Sequence, residues 1–403
     1  MKNNSIIAKN IFSFTALKAI TAIFPLIVIP YLIATIGLEN YGVVIFALSF
    51  VAFFNTIVDY SFKVTAVREI SLVRESQTAI SAIASKVLTT KFFLLGLSII
   101  LGTVIIFLTP AFFKELNIFL LVFSSLIGYS LNPSWFFTGI EKMEYLALFV
   151  FILKCLHVAT IFIFIHEKSD VWIYALILSA ESLMVALIGL TFMHYKFHIK
   201  LGLTSFQNVQ TQLKKNSSLF VNQLVPNLYN NTTTLLLGFF GGTLITGAYG
   251  VLRKITNLLE NILGIISNAF FPAINRDQNN TSTYRKIQWT LSLLLIISIA
   301  AGSPFILEFF NVENESAIVS LIILLAGIIG LTMYDIYGLN YFIVLKKDKL
   351  VFYNTLVFSV IGFALAIPTI YLGGIIGAAI IVSLTRLLIG GRLFWLYHFK
   401  GLS

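Results

Sequence analysis

Apolar residues run through this chain in blocks of about 20 residues or more, the length a helix needs to cross the hydrocarbon core of a bilayer. Polar positions gather in the short stretches between the blocks. The pattern predicts twelve membrane helices, at about 11–36, 41–66, 82–108, 116–138, 143–165, 171–195, 217–242, 247–274, 287–308, 316–345, 349–372 and 374–398. The short alternating segments of a membrane barrel are absent from the sequence. Most connections are under ten residues, and the longest, about 196–216, is too short for a soluble domain. The first block exceeds the apolar core of a signal peptide and lacks a small-residue cleavage site, so it reads as a retained helix.

Composition agrees with the pattern: 58% of residues are hydrophobic and 11% charged, with a mean hydropathy of +0.94. The net charge of +10 would suit nucleic acid, but its distribution points to a membrane. Of 27 Lys and Arg, nineteen fall on the side of the amino terminus, Lys86 and Lys91 among them, and only Lys114 and Lys168 on the other. The remaining six lie within spans. This positive-inside bias places both termini in the cytoplasm. Cys155 is the only cysteine, so neither an intramolecular disulfide nor a cysteine metal cluster can form. No glycine-rich phosphate loop or metal-binding motif occurs, so any energy coupling draws on a proton or sodium gradient or on a separate subunit.

The two halves follow one plan. Lys9-Asn10 and Tyr41-Gly42 flank the first helix, as Lys215-Asn216 and Tyr249-Gly250 flank the seventh, at offsets of 206 and 208 residues. Both helices carry interior proline: Pro25 and Pro30 in one, Pro226 in the other. Residues 1–200 and 201–403 are therefore read as two six-helix bundles in the same orientation, as in transporters with parallel repeats. A substrate cavity is expected at their seam.

Charges inside spans are costly and tend to face a cavity or a partner. The basic ones are Lys18, Lys63, Lys154, Arg253, Lys254 and Arg386, and the acidic ones are Asp59, Glu181, Glu260 and Asp335. Lys18 and Lys63 lie near helix ends and can snorkel. Lys154, Glu181 and Arg386 lie too deep for that. Asp59 and Lys63, four apart, would share a helix face and neutralise each other. His157, one turn from Lys154, reads as a packing or cavity residue. In the seventh helix, Asn222, Gln223, Pro226, Asn227, Asn230, Asn231 and Thr234 recur every four residues along one face. Such amides both donate and accept, which suits sugar hydroxyls; hydrogen bonding between helices is the competing use. The basic residues and amides are the candidate substrate-binding set. The four acids are candidate ion carriers, since burial favours a neutral carboxyl and a nearby cation an ionised one. Glu181 heads that group, having no basic neighbour on its own helix.

Leu38-Glu39-Asn40-Tyr41-Gly42, Asp59-Tyr60-Ser61-Phe62 and Arg68-Glu69 together resemble the amino-terminal signature of the polysaccharide-transport family, within the multidrug/oligosaccharidyl-lipid/polysaccharide exporter superfamily. The stretch Pro133-Ser134-Trp135-Phe136-Phe137-Thr138-Gly139-Ile140-Glu141-Lys142-Met143 is similar to one in bacterial O-antigen flippases of the Wzx type. So are Leu237-Gly238 through Tyr249-Gly250, and Tyr371 through Ala379. One departure is Tyr60-Ser61, where such proteins carry a small residue and glycine, which leaves the bend of the second helix open. The resemblance implies an all-α transporter, two six-helix bundles forming a V around a central cavity. It also implies a multi-pass protein of the bacterial inner membrane, with no enzymatic activity, that flips undecaprenyl-diphosphate-linked oligosaccharide to the outer face. Other membrane proteins of polysaccharide assembly are the implied partners, and nucleic acid is not one. A small-molecule exporter of the same superfamily and a membrane enzyme such as a polysaccharide polymerase remain as alternatives.

Overall fold

The computed structural model describes residues 2–277, 280–312 and 315–399, with side chains throughout except at 2–14, 222, 225, 226 and 228. The helices in order are α1 (Lys2–Ile36), α2 (Leu38–Asp59), α3 (Phe62–Ser71), α4 (Gln77–Leu108), α5 (Pro110–Phe113), α6 (Leu116–Leu131), α7 (Ser134–Gly139) and α8 (Met143–Phe164). There follow α9 (Val171–Tyr195), α10 (Phe206–Phe240), α11 (Gly242–Arg276), α12 (Asn280–Ala301), α13 (Ser303–Phe309), α14 (Glu315–Met333) and α15 (Asp348–Phe399). A π-helix, Tyr334–Ile343, continues α14. Among the described residues no strand occurs.

Every predicted span is largely helical, but those at 41–66, 116–138 and 287–308 are each broken into two helices. Among the described residues, nine helices are long and apolar enough to cross a membrane, or ten if α12 and α13, bent by 65°, act as one. That count takes α15 once, although Gly374, at φ 52°, breaks it into two, and α10, diluted by its amides, is not among the nine.

The chain divides into two compact units, residues 1–24 with 47–224, and residues 25–46 with 225–403. In the first, the stretch after Pro133 forms the core: Trp135, Phe136 and Phe137 are buried with Phe149, Leu153 and Met193. Gly139 lets α7 close on α3, since a Cβ there would sit 2.8 Å from Ile70. Small residues likewise bring α6 and α9 together. A side chain at Gly128 would collide with the backbone of Ser182, while Ser179 Oγ donates to the Leu121 carbonyl at 2.5 Å and Ser182 Oγ to that of Ser125 at 3.2 Å. Such contacts take the place of the hydrophobic effect in lipid.

In the second unit the start of α2 lies against the start of α11. A Cβ at Gly42 would strike the Thr243 carbonyl, and one at Gly247 the Leu38 carbonyl. The repeated Tyr41-Gly42 and Tyr249-Gly250 pairs thus fall at one helix crossing, with both tyrosines buried. Glycines also bring α14 onto α15, where Gly330 faces the Arg386 backbone and Gly390 the Gly330 carbonyl. Ser383 Oγ adds a hydrogen bond to the Ile323 carbonyl at 2.7 Å. That packing sets the position of Arg386.

The α2–α3 bend forms without glycine: Tyr60 and Ser61 adopt φ of 40° and 68°. The left-handed region costs a non-glycine residue about 1–2 kcal/mol. Ser61 is fully buried and its hydroxyl has no hydrogen-bond partner among the described residues. Ser61→Gly is therefore expected to stabilise the protein by about 1 kcal/mol, seen as a higher midpoint of thermal unfolding in detergent, whereas Ser61→Val should lower it.

Candidate functional site

The bend also decides the partner of Asp59. Four-residue spacing pairs side chains only along an unbroken helix, and here α2 ends at Asp59 while Lys63 lies on α3 and is exposed. The expected Asp59–Lys63 pair is replaced by another: Lys91 Nζ on α4 lies 3.1 Å from Asp59 Oδ1 and donates to the Ser130 carbonyl at 3.2 Å. Lys91 is 1% exposed. Counted from sequence among the cytoplasmic charges because it lies near the start of its span, it is instead a buried ion. The signal that could have found it is its distance into an apolar block, nine residues past Ala82.

Glu181 on α9, held by the serine contacts to α6, meets two basic side chains from α8. Lys154 Nζ lies 2.7 Å from Oε1 and donates to Oε2 at 2.9 Å. His157 Nδ1 lies 2.8 Å from Oε2. A cavity of about 90 Å³ beside them is lined by His157, Thr160, Glu181 and Met184 among others. The one-turn spacing of Lys154 and His157, which looked incidental in the sequence, brings both to one carboxylate.

In the second unit, four of the candidates converge. Arg386 Nη1 on α15 lies 2.7 Å from Glu260 Oε1 on α11, and Arg253 Nη1 lies 3.4 Å from the same oxygen. Both guanidiniums reach the side-chain oxygen of Asn230 on α10 at 3.5 Å. Arg253 and Glu260 stand seven apart, two turns along one face of α11. The cluster holds two positive charges and one negative, with Arg386 only 5% exposed. Removing a single partner from such a pair costs about 3–5 kcal/mol.

Asp335, the remaining acid, is buried at the start of the π-helix, a form frequent at functional sites. Gln288 Nε2 donates to its Oδ2 at 3.4 Å. Five residues on, the Asn340 amide donates to Ser267 Oγ, the Tyr284 hydroxyl oxygen and the Asp335 carbonyl at 2.8, 3.1 and 3.0 Å. Lys18, Gln223, Asn227, Asn231 and Lys254 are half-buried, and the side chain of Asn222 lies outside the described residues. The candidate residues thus form separate groups inside each unit: Lys154 with Glu181, Asp59 with Lys91, and Arg253, Glu260 and Arg386 with Asn230.

A model of the family described as "polysaccharide biosynthesis protein" matches residues 7–278. A curated Escherichia coli (strain K12) protein, whose name provisionally assigns it O-antigen transport, is 24% identical over 396 residues, spanning 96% of this chain and 95% of its own. A similarly named protein of Shigella dysenteriae is 24% identical over 302 residues, or 74% of this chain and 75% of its own. Among solved structures, the lipid II flippase MurJ in an inward closed conformation shares the fold with a TM-score of 0.67 at 17% identity, over 98% of this chain and 87% of that one. An inward-facing multidrug resistance MATE family transporter does so with a TM-score of 0.59 at 14% identity, over 95% and 100%.

Proposed function

Because this chain belongs to the polysaccharide biosynthesis protein family, we propose that it is a transporter, not an enzyme, that flips an undecaprenyl-diphosphate-linked oligosaccharide of the O-antigen type from the cytoplasmic to the outer face of a bacterial inner membrane. The geometry that carries the reading is the Arg253–Glu260–Arg386 cluster: two guanidiniums share one carboxylate within the apolar part of the chain, which among the described residues leaves one positive charge in excess beside an amide. Anionic headgroups are expensive to desolvate, and preplaced Lys and Arg offset that expense. Arg253, Lys254 and Arg386 serve the anion, while Asn227, Asn230 and Asn231 serve the sugars. The nearly full-length match to the Escherichia coli relative and the shared fold with a lipid flippase support the same substrate class.

Deleting the gene should make lipid-linked oligosaccharide accumulate on the cytoplasmic face, as measured by accessibility to a membrane-impermeant glycosidase on each face. Unchanged distribution would remove the flippase reading. Orientation has its own test, in a Cys155→Ser background. A cysteine at Ser169 should react with an impermeant maleimide in intact spheroplasts, and one at Ser205 only after permeabilisation. The opposite pattern would invert the assignment of both termini to the cytoplasm.

A further inference from the structure

Arg386 also faces a cavity that the charge cluster does not fill. About 130 Å³ in volume, it is lined by Tyr229, Gly330, Leu331, Tyr334, Thr355, Arg386 and Ile389, all in the second unit. Its size suits one ring, being well below the roughly 300–1,000 Å³ of pockets for drug-sized ligands. The titratable groups facing Arg386 include Glu260, Tyr229, Tyr249 and Tyr334. Glu260 is shared with Arg253, so among the described residues the two guanidiniums are one anion short of neutrality. Moreover, Arg386 Nε is buried and has no hydrogen-bond acceptor among the described residues. A buried guanidinium with an unused donor, at the edge of a cavity, calls for an anionic acceptor.

The walls narrow the chemistry. Tyr229 and Tyr334 offer aromatic faces with polar tips, and Thr355 can supply a hydroxyl that donates and accepts. An apolar ring face with a hydroxylated rim is the surface of a pyranose. A single surplus positive charge matches a carboxylate better than a doubly charged phosphate. We propose that this cavity is a subsite for one acidic sugar of the transported glycan, with its carboxylate on Arg386 and its ring against Tyr229 and Tyr334. The proposal rests on the flippase reading and narrows the part Arg386 plays in it.

The test uses purified full-length protein in nanodiscs, with binding of methyl glucuronide, methyl glucoside, glucose 1-phosphate and inorganic phosphate followed by saturation-transfer NMR. Methyl glucuronide should bind at least tenfold more tightly than the other three. Arg386→Lys should weaken it about tenfold through loss of the planar fork. Tyr334→Ala, which leaves the ion cluster intact, should weaken it comparably and is the control against misfolding. Equal binding of glucoside and glucuronide, tighter binding of either phosphate, or full binding by Tyr334→Ala would overturn the subsite. In a deletion strain supplied with an acidic or a neutral repeat unit, Tyr334→Ala should reduce export of the acidic unit selectively. Equal export of both by this variant defeats the subsite alone, whereas export of neither by the wild type defeats the flippase reading.

Discussion

Glu260→Gln is expected to abolish glycan export and to reduce the amount of folded protein in the membrane. The substitution leaves Arg386 and Arg253, 2.7 and 3.4 Å from the lost charge, as uncompensated neighbours. The penalty for stripping a buried pair of one partner, about 3–5 kcal/mol, is a large share of a domain's net stability. Fluorescence-detected gel filtration should show most of the variant aggregated, and export should fall by a hundredfold or more. The companion measurement is Glu260→Gln with Arg253→Gln. That double variant returns the cluster to its wild-type surplus of one positive charge and should recover monodisperse protein, a coupling that a double-mutant cycle would register as well over 1 kcal/mol. Export should stay low in the recovered protein, because Arg253, one of the two guanidiniums assigned to the anion, is gone. Equal damage in single and double variants would mean that Glu260 is not there to balance the arginines.

The second large effect is expected at Glu181. Lys154→Ala and Glu181→Ala should each lower export more than tenfold, since each leaves an ion within a span without its closest partner. The exchange Lys154→Glu with Glu181→Lys should return export to within a few-fold of wild type, because the pair joins α8 to α9 in either polarity, with some loss from placing a lysine beside His157. A carboxylate that carried the coupling ion would not tolerate being moved to the other helix. Failure of the exchange to rescue, in a variant that still inserts, would make Glu181 the carrier; Asp59, paired with Lys91, would then be the weaker candidate.

These expectations mark where a single chain's pattern stops. That lipid is the solvent follows from composition alone. Helix positions follow from block length, and the internal repeat from matched motifs at matched offsets. Each of these is a local or additive property: apolar area sums along a segment, and a face recurs every 3.6 residues whatever lies opposite. The candidate charges could be picked out for the same reason, since any ion in an apolar block is conspicuous.

Partner choice has a different origin. Asn230 and Arg386 meet across 156 residues, and Lys91 and Asp59 across 32. Which ions pair depends on helix rotation and spacing, which glycines and serines at crossings decide: Gly330 and Gly390 for Arg386, Gly128 and Ser182 for Glu181. Local strain matters too. Tyr60 and Ser61 bend the chain after Asp59 without the glycine that would have announced it, and this turns Asp59 from Lys63 to Lys91. Residues 25–46 group with the second unit although they precede it by some 180 positions, because the glycine crossing of α2 with α11 joins segments that sequence order keeps apart. The sequence by itself determined the solvent, the helices and the inventory of buried charge, since free energy of transfer is a property of residues. The tertiary structure alone decided which charges neutralise one another and which guanidinium keeps a donor to spare, since those depend on distances no periodicity encodes.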